Sequence, residues 1–232
     1  MVTAENCFDI IRLCGIRPWQ KINEEPVERY LRRGEEQSQL YSRFGAPSTV
    51  GYYTNPGSST PFEGFRTHFK PCAMVFALID GHVPITAEWK HGAERITLCP
   101  VAGVAGKAEQ NYPTVYEQME AAARREWEEE TGTQLASLTP LGPSTGILAI
   151  ARSANARYYP FLGTVREPIQ KGPTKLDSDE RLQMVMFPVA EWVRLLMQGD
   201  LMDQHPHYCI ETYTRDTTFA ALMALGKLQL QP

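Results

Sequence analysis

The stretch that most constrains this chain is residues 117–132, EQMEAAARREWEEETG. Thr114 suits an N-cap and Gly132 a C-terminal stop, which predicts a helix from Val115 to Thr131. Successive helical residues advance by about 100°. With Glu126 at the origin, Glu130 falls at about 40° and Glu129 at about 300°, so three carboxylates share roughly a quarter of the circumference. Glu128 points to the far side. Ala122 and Ala123 flank the acidic face one turn earlier and leave room for a close neighbour.

Like charges at this spacing cost about 0.2–0.5 kcal/mol per pair even when exposed. Such a run is either a solvated acidic face or a site that supplies a cation. Hard oxygen ligands with no His or Cys among them suit Mg2+ or Mn2+. Mg2+ keeps most of its positions for water and substrate phosphate, so the second alternative points to metal-assisted chemistry on a phosphorylated ligand.

The charge balance locates the cluster. Lys plus Arg number 23 and Asp plus Glu 27, a formal net charge of -4. Residues 117–130 hold six Glu and two Arg, so the whole excess lies on this one helix and the rest is neutral. No basic surplus exists to neutralise nucleic-acid phosphates, which disfavours that class of partner. Aromatics at 10% and mild overall charge argue against disorder, and 232 residues can bury a substantial core.

The five cysteines, Cys7, Cys14, Cys72, Cys99 and Cys209, are scattered, form no CxxC pair, and signal neither a disulfide framework nor a zinc site. The first residues lack a basic segment and a long apolar core, and the longest apolar run, residues 72–79, is too short to span a bilayer. These features predict a cytoplasmic protein with no membrane partner.

Along the chain, residues 5–43 read as helical pieces broken at Pro18 and Pro26, and residues 45–64 as a Gly/Pro/Ser-rich loop. Strands are predicted at 72–79, 83–89, 95–99, 146–151, 156–165 and 182–187, with a turn at Asp80-Gly81. Further helices are predicted at 190–197 and 217–228. Strands and helices mix without a βαβ rhythm, which predicts an α+β or layered αβα fold.

The acidic segment resembles the signature of the Nudix hydrolases, G-x5-E-x7-R-E-U-x-E-E-x-G-U, where U is a bulky apolar residue. Glu117 fills the first Glu, Arg125, Glu126 and Trp127 follow in register, and Glu129, Glu130 and Gly132 complete it. Two positions depart. Asn111 stands at the leading Gly, with Gly106 the nearest glycine, which reads as an insertion of about five residues before the helix. Thr133 occupies the final apolar position.

Residues 87–92, AEWKHG, and 98–103, LCPVAG, look like the strand and "PAG" loop of the ADP-ribose and nucleoside-diphosphate-sugar pyrophosphatases. The resemblance spans residues 72 to about 200. It implies a Nudix-type αβα sandwich with a mixed sheet over 71–232, preceded by a partly helical extension, 1–70. Tyr52, Tyr53, Phe62, Phe65 and Phe69 in that extension are candidates for base stacking or, more often, for packing.

The resemblance also implies Mg2+ or Mn2+ held by Glu126, Glu130 and Glu129, with Glu117 supporting them and the carbonyl of Ala102, or of its competitor Ala105, as a backbone ligand. Arg125 would pair with a carboxylate and hold the helix. Lys90, Arg157 and Ser144 would contact substrate, and Glu180, in the acidic run Asp177-Ser178-Asp179-Glu180, would be the general base. The implied reaction is hydrolysis of a pyrophosphate bond in a nucleoside diphosphate linked to another moiety, with ADP-ribose or a nucleotide sugar foremost. Other nucleotide pyrophosphatases, or a nucleotide-sensing module without turnover, are the alternatives. The subfamily resemblance further suggests a homodimer, with residues 1–70 available for the contact.

Overall fold

A computed structural model of the chain describes residues 1–17, 48–54, 61–67, 69–90, 93–149, 156–175, 182–198 and 204–228. It divides into two compact units. The first comprises Met1–Trp19, Cys72–Gly146 and Tyr159–Pro232; the second comprises Gln20–Pro71 and Ile147–Tyr158.

The first unit is built on a mixed sheet. Its strands are β3 (Cys72–Phe76), β4 (His82–Lys90), β5 (Arg95–Val104), β6 (Leu135–Pro140), β8 (Arg157–Val165, entering from the second unit), β9 (Leu182–Pro188) and β10 (Tyr208–Cys209). The spatial order is β6-β8-β3-β5-β4-β9. The short β10 runs parallel to the start of β5, with Tyr208 beside Ile96, whereas β3, β4 and β5 pair antiparallel. The expected turn at Asp80-Gly81 joins β3 to β4. Both residues have positive φ, 49° and 74°, the pattern of a primed hairpin turn that Asp-Gly favours.

Helices cover both faces. α1 (Cys7–Leu13), α3 (Val189–Met197) and α4 (Thr212–Ala224) bury Phe8, Ile11, Trp192, Leu195 and Leu222 against Ile85 and Phe187. α2 (Val115–Thr131) lies on the opposite face, with Met119, Ala123 and Trp127 against Val75, Val101 and Phe161. The register explains the sorting. Alternate residues of a strand face opposite sides, so Thr86, paired with Cys99 and Met184, faces α2, while Ile85 and Ala87 face the other helices. Each buried tryptophan has its N–H satisfied: Trp127 donates to Thr133 Oγ1 at 2.9 Å and Trp192 to Thr218 Oγ1 at 3.1 Å. The expected α+β sandwich is therefore the observed architecture.

The second unit contains a hairpin of β1 (Ser48–Thr54) and β2 (Pro61–Thr67), paired from Ser48 with Thr67 to Thr54 with Pro61. This corrects the loop expected over residues 45–64. Thr49, Val50, Tyr52 and Tyr53 are strong strand formers, and their preference prevails over the neighbouring Gly and Pro. β7 (Ile147–Leu148) pairs with the start of β8 in the same unit. Among the described residues no helix is long and apolar enough to cross a membrane.

Candidate active site

α2 is fixed at both ends. Thr114 and Glu117 form a capping box: the Glu117 N–H donates to Thr114 Oγ1 at 3.2 Å, and the Thr114 N–H donates to Glu117 Oε2 at 3.0 Å. The Thr114 hydroxyl also donates to Glu117 Oε2 at 2.8 Å. The Glu117 carboxylate thus serves the helix N-terminus, about 13 Å along the axis from Glu126. At the other end Gly132 adopts φ 69°, the left-handed cap conformation. The N–H of Gly172 donates to its carbonyl at 2.6 Å, and that of Lys175 to the carbonyl of Glu129 at 2.8 Å. Residues 172–175 thereby clasp the end of the helix.

Glu126, Glu129 and Glu130 share one face, and Glu130 is only 7% exposed. Arg125 ties the face together. Its Nη2 donates to Glu126 Oε1 at 2.8 Å, its Nη1 to Glu129 Oε2 at 2.6 Å, and its Nε to Glu109 Oε1 at 2.9 Å. Nη2 also donates to the carbonyl of Val104 at 2.9 Å. One guanidinium therefore binds three carboxylates and the end of β5. Its own charge is stabilised despite partial burial, first by Glu126 and then by Glu109 and Glu129, so its pKa lies above the ordinary value.

Glu109 was not legible as a site residue. It opens a short 3-10 turn (Glu109–Asn111) in the loop between β5 and α2, and is buried. Burial alone would raise its carboxyl pKa, but the hydrogen bonds from Arg125 and from the Gly106 N–H, the latter at 2.7 Å, hold it below the usual range. Its only sequence signal is a lone carboxylate in a Gly-containing loop, sixteen residues before Arg125.

A glycine brings the helix to the sheet. A Cβ at Gly103 would lie 2.0 Å from both Cδ and Oε1 of Glu126. The Glu126 side chain therefore crosses the backbone of β5 directly after Ala102, in space that only glycine leaves. This juxtaposes the two stretches that carried the sequence resemblance.

Lys90, at the end of β4, is half-buried and bonded to Glu88. Burial lowers its pKa, but Glu88, Cys99 and Glu130 together outweigh this and hold it above the ordinary value, so it is a fixed cation near Glu130. Glu211, just before α4, also belongs to this group. Burial raises its carboxyl pKa and Lys90 partly opposes the rise. Burial pushes the Cys99 thiol up to about 12, which removes it as a nucleophile at neutral pH.

Ser144 is exposed in a turn closed by the Gly146 N–H donating to the Pro143 carbonyl at 2.9 Å. Arg157 is exposed at the start of β8, in the second unit. Glu180 lies outside the described residues, as do His91 and Gly92.

The donor set suits a small hard cation. Its ligands would be carboxylate oxygens and a backbone carbonyl, and the Gly103 cradle admits Glu126 beside Ala102. Among the described residues, no three His, Cys, Asp or Glu side chains form a ready-made metal cage. Mg2+ asks for less, because it takes one or two protein carboxylates and fills the rest with water and phosphate.

No family model and no curated protein matches the chain. Among solved structures, it is similar to one described as an ADP compounds hydrolase, with a TM-score of 0.55 and 19% identity over 78% of this chain and 95% of that one. Likeness at this identity is likeness of fold, and the fold is accordingly an α+β sandwich of the Nudix type.

Proposed function

We propose that this chain is a divalent-metal-dependent pyrophosphatase of the Nudix family, acting on a nucleoside diphosphate linked to another moiety, foremost ADP-ribose or a nucleotide sugar. The observation that carries this reading is the seat of Glu126 across Gly103, which joins the acidic helix to the part of β5 that would supply a backbone carbonyl. The neighbouring fold, described as an ADP compounds hydrolase, supports the substrate class.

Glu126, Glu129, Glu130 and the carbonyl of Ala102 would hold Mg2+ or Mn2+, and Glu117 supports them through the helix cap. When bound, the metal neutralises charge developing on the phosphoryl oxygens and lowers the pKa of water. Arg125 keeps the Glu126 and Glu129 carboxylates from moving apart by holding both. Lys90, a fixed cation, would face the diphosphate, with Ser144 as a further substrate contact. Glu180 accepts the proton of the attacking water. The water oxygen bonds to one phosphorus, the bridging P–O bond breaks, and the products are a nucleoside monophosphate and a phosphorylated sugar. A homodimer working in the cytoplasm completes the reading.

A substrate panel tests it. ADP-ribose, nucleotide sugars, NADH, dinucleoside polyphosphates and nucleoside triphosphates would be incubated with Mg2+ or Mn2+, and release of a monophosphate measured. Turnover of ADP-ribose or a nucleotide sugar above the other classes is the expected result. Nucleotide binding with no turnover of any member would replace the enzyme with a sensing module.

A further inference from the structure

β9 presents two unlike faces. Val185 and Phe187 are fully packed against α1, α3 and α4. Leu182, Met184 and Met186 point the other way, toward the side that α2 covers, yet each is only half-buried. α2 packs chiefly on β5, β3 and β6 rather than on β4 and β9. Over that edge lies a cavity of about 520 Å³, floored by Leu182, Met184 and Met186 and walled by Ile169 and Glu130. Asp80, Thr131, Thr133, Thr174, Lys171 and Gln183 add polar groups to its lining.

We propose that this cavity is the subsite for the nucleobase of the substrate. Its volume falls within the roughly 300–1,000 Å³ of ordinary small-molecule sites. Its floor is a flat, apolar strand face carrying two thioethers, which adapt to a ring and make favourable contacts with aromatic edges. Its polar side chains can pair with the donors and acceptors on a heterocycle edge. Glu130 forms one wall, so a ring on the methionines is held next to the acidic face that would receive the diphosphate. A free sugar has no aromatic ring to lay on the Met184 and Met186 thioethers, which is the contact that favours a base. The inference rests on the hydrolase reading for the identity of the ligand, but occupancy of the cavity is measurable without turnover.

The test is methyl NMR of the full chain labelled with 13C-methyl methionine, titrated with adenosine 5′-monophosphate and, separately, ribose 5-phosphate, each with Mg2+. Ring-current shifts confined to the Met184 and Met186 methyls, given by the nucleotide and not by the sugar phosphate, are expected. Met186→Trp should fill the cavity and weaken nucleotide affinity by about tenfold or more, and Met186→Leu should restore most of it. Equal responses to both ligands, saturable nucleotide binding that leaves both methyls unmoved, or unchanged affinity in a folded Met186→Trp would overturn the proposal. Shifts at these methyls in a protein that hydrolyses nothing would keep the subsite and sink the hydrolase reading. Hydrolysis with silent methyls would do the reverse.

Discussion

Arg125 and Glu109 show how a helix bearing an unusual charge density stays folded. Three carboxylates meet one guanidinium at 2.6–2.9 Å, and Glu109 is the most buried of the three, at 6% exposure. Glu109→Gln would leave Arg125 with one fewer charged partner and an amide in a site shaped for a carboxylate. The expected cost is about 2 kcal/mol at neutral pH, measured by urea unfolding. The sign of its pH dependence follows from the lowered pKa. Stability from a group with a depressed folded-state pKa is present above its unfolded value, about 4.3, and fades as pH falls through the folded value. The gap between wild type and Glu109→Gln should therefore be widest near neutrality and close in acid. A gap that is constant, or grows, toward low pH would contradict this role.

At this scale the sequence was legible where chemistry follows helical period. Glu126, Glu129 and Glu130 were placed on one face by spacing alone, and the structure keeps them there. Glu109 was not, because its contact with Arg125 is made by the course of a loop. Gly103 was noticed only through resemblance. That its missing Cβ is what seats Glu126 is a tertiary fact, visible once β5 and α2 are packed.

Among the elements, α2 was read to the residue because its stop signals are local: a capping box at Thr114 and a left-handed glycine at Gly132. β1 and β2 were read as loop because Asn55, Pro56 and Gly57 between them dominate any local reading, whereas the pairing that makes them strands is between segments. β10 is two residues long and exists by pairing with β5, so nothing local announces it.

The clasp on α2 also belongs to this scale. A Cβ at Gly132 would stand 2.3 Å from the carbonyl oxygen of Gly172, a backbone atom that cannot turn aside. Gly132→Ala adds this clash to the strain of φ 69° and should cost more than about 1 kcal/mol. The amides of Gly172 and Lys175, which donate to the helix end, should then lose protection from hydrogen exchange. An unchanged unfolding midpoint with both amides still protected would show that the clasp does not depend on the glycine at 132.

Across the whole molecule, the charge pattern and the architecture agree. The formal excess of -4 lies within residues 117–130, on the helix that, among the described residues, covers its face of the sheet. Among the described residues the opposite face is closed by α1, α3 and α4 and an apolar core that includes Trp192 and Phe187. One face is thus given to stability and the other carries the acidic helix, the Gly103 cradle and the cavity over β9. The α+β class was legible from the order of elements and the mixed sheet from the resemblance, whereas the parallel pairing of β10 with β5 was not.

The account rests most on the acidic face of α2 serving a divalent cation, and hydrolysis of ADP-ribose followed by 31P NMR across a Mg2+ titration tests this directly, with wild type beside Glu130→Gln. Wild type should release a nucleoside monophosphate only when Mg2+ is present. Glu130→Gln should keep the wild-type circular dichroism spectrum and lose turnover by about a hundredfold or more. Wild-type turnover that persists after chelation, or a folded Glu130→Gln with normal turnover, would contradict the account.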